Sequence, residues 1–113
     1  MSWVRLGDTF GDRPCWDELG AQGLALHVCA LGFSNRHVLN GRLSVSAVRR
    51  LFGIDDVLGV ADSLVKAGLW LQEGDEFVIV ADLDDQLSPD EELNRRENAK
   101  VRAKRHRRHR DDE

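Results

Sequence analysis

Apolar and polar residues alternate over Trp3, Val4, Arg5 and Leu6 ahead of Gly7 and Asp8, and this period of two predicts a short opening strand. Gly11, Asp12, Arg13 and Pro14 then spell a turn. From residue 16 to about 35, Leu19, Leu24, Leu26, Val28, Cys29, Leu31 and Phe33 cover too much of a helical circumference for a surface helix. A first helix buried on several sides is expected there. Asn40-Gly41 marks a second turn, and Arg42, Leu43, Ser44 and Val45 supply a brief strand. Ser46 stands where it would N-cap a short helix through Ala47, Val48, Arg49, Arg50, Leu51 and Phe52, stopped by Gly53. Asp55 is the expected cap of the next helix, in which Val57, Leu58, Ala61, Leu64 and Val65 follow the i, i+3, i+4, i+7 stripe of a core-facing helix ended by Gly68. Leu69, Trp70 and Leu71, a polar Gly-bearing turn over 72–76, and Phe77, Val78, Ile79 and Val80 read as a β-hairpin.

Residues 82–86 read as an acidic linker. Ser88, Pro89 and Glu91 then combine an N-cap serine, proline at the first helical position and an acid three residues after the cap. They predict a last helix from Pro89 to about Arg110, with acids at its start and arginines at its end, as the helix dipole favours. The resulting order is strand, helix, strand, helix, turn, helix, hairpin. Its class is α+β, and a helix-turn-helix followed at once by a hairpin is the winged-helix arrangement, with residues 69–80 as the wing. The expected organisation is a winged-helix domain over 1–83, an acidic linker over 84–88 and a basic helical tail over 89–113.

Four stretches support that arrangement from another side: Trp3-Val4-Arg5-Leu6-Gly7-Asp8; Leu24-Ala25-Leu26-His27-Val28 with Asn35-Arg36-His37; Asn40-Gly41-Arg42-Leu43 with Ala47-Val48-Arg49-Arg50-Leu51; and Leu64-Val65-Lys66-Ala67-Gly68-Leu69-Trp70. In these, residues 3–80 resemble the N-terminal winged-helix domains of actinobacterial phage and prophage replication-initiator-like proteins. The resemblance spans about two-thirds of the chain through short, mostly apolar pieces. It implies DNA binding in phage replication or transcriptional control, without catalysis.

Composition changes the picture through the distribution of charge. The 113 residues, 42% of them hydrophobic, suffice for one small core, and the formal net charge is −4. Residues 1–93 hold 7 basic and 16 acidic side chains, a net of −9, whereas residues 94–110 hold 9 basic and 1 acidic, a net of +8. An acidic body bearing a basic arm is the asymmetry of polyanion-binding proteins. Arg95, Arg96, Lys100, Arg102, Lys104, Arg105, Arg107, Arg108 and Arg110 fall all around a helix at ~100° per residue, and only Leu93, Ala99, Val101 and Ala103 are apolar. Such a segment does not dock on a membrane as an amphipathic helix. It fits a cationic helix or arm that orders on a polyanion, and arginine's planar fork suits phosphates and guanine edges. A solubility tail, a clamp folding back on the acidic body, or self-association between tail and body are the other readings.

The helix after the expected turn argues against reading DNA with that element. It offers Asp55, Asp56 and Asp62 against Lys66, and the hairpin tip adds Glu73, Asp75 and Glu76, all of which phosphates would repel. Arg49 and Arg50 are candidates for backbone contact or a solvated pair. The function expected is therefore a non-enzymatic DNA-binding protein of phage type, acting in transcription or replication, with phosphate contacts mainly from the basic extension. The alternative is a protein-interaction module in which Asp55, Asp56 and Asp62 face a host or phage replication or transcription protein.

Other chemistry finds no support in spacing. His106 and His109 lack further ligands, and Cys15, His27, Cys29 and His37 do not match a zinc-finger pattern, so no metal is expected and Cys29 is read as core. No G-x-S-x-G nucleophile signature and no phosphate-cradling glycine loop occurs, and Asp55-Asp56 and Asp84-Asp85 are adjacent pairs that point to different sides. Neither catalysis nor a cofactor is expected. No secretory signal or membrane span is read from the chain, which predicts a cytoplasmic protein with free thiols, partnered by nucleic acid, DNA ahead of RNA, and open to homodimer formation. Trp16 and Trp70 are read as partial core or as interface markers.

Overall fold

Residues 3–51, 53, 55–86, 91, 93, 94 and 96–102 are described by a computed structural model of the chain. A single 3-10 turn at Phe10–Asp12 leads into α1 (Cys15–His37), followed by β1 (Arg42–Ser44), α2 (Val45–Leu51), α3 (Val57–Lys66), β2 (Trp70–Glu73) and β3 (Glu76–Ile79). The architecture is α+β, with one three-stranded antiparallel sheet in the order β1-β3-β2. Leu43 lies opposite Phe77, and Trp70 opposite Ile79. These four side chains are buried, with the helices supplying the rest of the core. Among the described residues no helix is long and apolar enough to cross a membrane.

Within α1 full burial follows a narrower stripe than its composition suggests: Gly23, Leu26, His27, Ala30, Leu31 and Ser34, spaced three and four apart. Leu24, Val28 and Phe33 flank it half-buried, and Cys29 lies outside the core cluster rather than in it. The helix is interrupted at Gly20, whose φ of +72° and ψ of −178° belong to a region open to glycine alone. This break separates the first turn from the long segment and lets Trp16 lie 5.8 Å from the His27 ring. Trp16 and Trp70 are both core residues at 8% and 0% exposure, and Trp3 is the exposed tryptophan.

Several local expectations are corrected. Residues 3–6 form no strand. Their backbone groups are taken by side chains instead, since Arg5 N–H donates to Gln86 Oε1, Arg5 C=O accepts from Gln86 Nε2, and Trp3 C=O accepts from Asn35 Nδ2. Ser46 lies inside α2, and the side chain that takes a first-turn amide is Ser44, whose Oγ accepts from Ala47 N–H at 3.1 Å. Asp56, not Asp55, caps α3, with its carboxylate accepting from Gly59 N–H at 3.2 Å. The one-residue shift follows from the chain bend at 55–56, which leaves Asp56 at the position whose side chain reaches the exposed amides of the first turn.

The segment read as an acidic linker holds two buried anchors. Asp82 has a side chain 1% exposed and Gln86 is 8% exposed, both hydrogen-bonded to residues far earlier in the chain. Farther on, residues 91, 93, 94 and 96–102 have helical backbone where described. The expected start of that helix at Ser88 and Pro89, together with Arg95, Lys104, Arg105, Arg107, Arg108, Arg110, His106 and His109, lies outside the described residues.

Candidate functional site

Two regions concentrate polar chemistry, one inside the body and one on its surface. The interior one begins with Asp82, whose backbone φ of +65° turns its carboxylate under α1. Arg13 grips it with both guanidinium nitrogens, Nη1 donating to Oδ2 at 2.8 Å and Nη2 to Oδ1. His27 Nε2 approaches the same Oδ2 at 2.9 Å, and Trp70 Nε1 donates to His27 Nδ1 at 2.9 Å. An indole nitrogen only donates, so Nδ1 carries the lone pair and the imidazole is the Nε2–H tautomer, donating to Asp82. The ring lies between Phe10, Trp16 and Trp70, at centroid distances of 6.1, 5.8 and 6.4 Å.

The electrostatics agree with this tautomer. Burial pulls the His27 imidazole below its ordinary value, and the Asp82 hydrogen bond only partly offsets this. Burial pushes the Asp82 carboxyl up, but the hydrogen bonds from Arg13 and His27 outweigh it and hold the group below its ordinary value. A histidine-carboxylate pair of this kind can orient a base for catalysis only if the other ring nitrogen is available. Here Trp70 occupies it and the imidazole has no exposure, so the network acts as a polar clamp joining the 3-10 turn region, α1, β2 and the segment after β3. Among the described residues every buried side-chain polar atom has a hydrogen-bond partner, and no group of three or more potential metal ligands is assembled.

The surface region lies where the end of α1 meets α2. Phe33, Arg36, Ser44, Ser46, Arg50 and Leu51 line a groove of about 300 Å³. Arg36 stacks its guanidinium over Phe33 at 5.7 Å, and His37 packs on the same ring at 4.4 Å. The extension arrives at this end of α1. Arg96 donates to the carbonyls of Asn35 and Arg36 at 3.2 and 2.7 Å, sharing the first with Val38 N–H and taking the second at the end of the helix, where carbonyls lack intrahelical partners. Lys100 and Arg102 follow it, exposed.

The other residues singled out from the sequence are dispersed around this geometry. Arg49 and Arg50 are both exposed but line different hollows, Arg49 sharing one with Asp55, Asp56, Val57 and Leu58. Asp62 is exposed and pairs with Lys66 at 3.0 Å, and Asp56 is committed to capping α3. Arg42 spans the sheet to Glu73 and Glu76 at 3.0 and 3.5 Å, away from any role foreseen for it. Arg36 and the Arg13–Asp82–His27–Trp70 network escaped sequence reasoning. The network joins positions up to 69 residues apart, which no local pattern signals, whereas for Arg36 the signal in the sequence is a basic side chain in the last turn of a helix. No protein-family model matches this chain, and no curated protein or solved structure matches it either.

Proposed function

We propose that the protein is a non-enzymatic DNA-binding protein whose body is a winged helix and whose basic C-terminal helical extension makes most of the phosphate contacts. The observation that carries the reading is the charge of the extension: nine basic side chains and one acid over residues 94–110, attached to a body of net −9. Affinity for DNA comes largely from neutralising phosphates and releasing their counterions, so such a segment binds DNA without further specificity. The winged-helix reading is supported by the element order α1, β1, α2, α3, β2, β3, which puts the β2–β3 hairpin directly after two short helices, and by the sheet order β1-β3-β2, in which β1 pairs with the hairpin's second strand. A phage role in replication or transcription rests on the resemblance of residues 3–80 alone.

The test is a fluorescence-anisotropy titration of the full chain against random-sequence duplex DNA over a salt series. It is repeated on a variant in which Lys100, Arg102, Lys104, Arg105, Arg107, Arg108 and Arg110 are replaced by glutamine. If five or six of the basic side chains engage, the unaltered chain shows a log–log salt slope of about −5, at ~0.9 per contact, and the variant loses most of it. Equal binding by both proteins would remove the extension from the reading.

A second reading is favoured by the exposure of Asp55 ahead of α3 and Asp62 on it: the acidic surface receives a basic partner protein. Reversing charge at these two positions abolishes that association and leaves DNA binding unchanged or stronger. Asp56 is unsuitable for the same test because its carboxylate caps α3.

A further inference from the structure

We propose that the groove between α1 and α2 is a second contact for the sugar-phosphate backbone of duplex DNA, continuous with the extension. The inference deepens the DNA-binding reading and rests on it. Its chemistry matches one backbone unit: two guanidinium groups from Arg36 and Arg50 for phosphate oxygens, hydroxyls from Ser44 and Ser46, and apolar lining from Leu51 and Phe33 beside them for deoxyribose. Ser44 Oγ accepts from Ala47 N–H, which leaves its own O–H to donate. Among the described residues no acid lines the groove, and neither Arg36 nor Arg50 forms an ion pair. The contrast with Arg42, Lys66 and Arg13 is direct, because each of those is matched to a carboxylate.

Continuity with the extension comes from Arg96. Its guanidinium sits 2.7 Å from the carbonyl of Arg36, a residue that also lines the groove, so the segment bearing Arg96, Lys100 and Arg102 is anchored to a residue of the groove. On this reading a backbone seated on Arg36 and Arg50 extends toward the segment that carries Arg96, and the contact uses the arginines of α1 and α2 rather than the acid-bearing α3. The α1–α2 groove registers the body on the duplex, while the extension supplies the larger share of charge.

The experiment compares three full-length proteins by anisotropy titration against the same random duplex across a salt series: the unaltered chain, Arg36→Gln/Arg50→Gln, and the charge-matched Arg42→Gln/Lys66→Gln. The groove variant is expected to weaken binding about tenfold at moderate salt and to lower the salt slope by about 2, at ~0.9 per lost phosphate contact. The control pair should leave the slope unchanged, and Arg36→Lys/Arg50→Lys should restore most of it. Circular dichroism melts confirm that each variant is folded, as expected for exposed side chains. Binding by the unaltered chain with equal loss in both glutamine pairs would show an effect of net charge and overturn the groove assignment. Unchanged binding by the groove variant would do the same while leaving the extension's role intact, and absence of binding by the unaltered chain would overturn both readings.

Discussion

Trp70 Nε1 donates to His27 Nδ1 across 2.9 Å, joining two fully buried side chains that lie 43 positions apart. This bond selects the histidine tautomer, and through it the imidazole presents its only N–H to Asp82. Replacing the donor with Trp70→Phe keeps an aromatic ring against Phe77 but strands Nδ1 without a partner in a dry interior. A loss of about 2–3 kcal/mol in unfolding free energy is expected from the orphaned acceptor and the smaller ring. Urea denaturation measures it, and a loss below about 0.5 kcal/mol would mean that the bond contributes nothing net.

Stability should fall in mild acid. His27 is held below its ordinary value of 6.5 by burial, with Asp82 raising it and Arg13 lowering it. Above about 6.5 the residue is neutral in both states and contributes no pH dependence. As pH drops below that value the unfolded chain takes up the proton first, so unfolding becomes easier until the folded imidazole titrates as well. Asp82 adds a second loss at lower pH, because its carboxyl is held below its ordinary 3.8 and its contribution disappears as pH falls through that region. Urea midpoints compared between neutral pH and pH near 5 should show the first decrease; a flat profile would contradict the neutral, buried His27.

Gln86 fastens the N-terminal segment to the body. Its Oε1 accepts from Arg5 N–H and Asn35 Nδ2, and its Nε2 donates to the carbonyls of Arg5 and Asp82. Gln86→Leu preserves bulk and removes all four bonds. Amide exchange at Arg5 should accelerate while the α3 amides stay protected, with a global loss of about 1–2 kcal/mol. Unaltered exchange at Arg5 would assign its protection to another cause.

Gly41 occupies a position that no other residue fills without strain. Its φ is +83°, its N–H donates to Ser34 Oγ at 2.7 Å, and its carbonyl accepts from Ile79 N–H at 2.8 Å. An added Cβ would lie 2.9 Å from a Leu83 methyl and 3.1 Å from the Ile79 carbonyl oxygen. Gly41→Ala is expected to cost about 2 kcal/mol or more, read as a lowered melting temperature. Gly68→Ala, at a φ of +82° but with open space around it, should cost less, since only the backbone term applies.

The readability of this fold from sequence divides by range of interaction. The stripe Val57, Ala61 and Leu64 on α3, the turn at Asn40-Gly41 and the hairpin around Gly74 were all evident, because each reflects backbone sterics and side-chain period within one element. Caps were displaced by one or two residues, from Ser46 to Ser44 and from Asp55 to Asp56, because the choice between neighbouring polar residues depends on where the chain bends. Residues 3–6 alternate like a strand, yet no strand edge pairs with them and Gln86 takes their backbone groups.

The same division holds for the candidate site. Composition alone determined that the chain is an acidic body with a basic arm, since charge counts do not depend on folding. Tertiary structure decided what individual charges do. Asp82, one acid among several in an apparent linker, became the buried partner of Arg13 and His27; Arg96, one cation among nine, became the cap of α1; and Arg36 and Arg50, 14 positions apart, came to share one groove. The physical reason is that solvent screens an exposed charge whatever its sequence, whereas a desolvated charge or an open helix carbonyl demands a particular partner, and only the folded chain brings that partner within hydrogen-bonding distance.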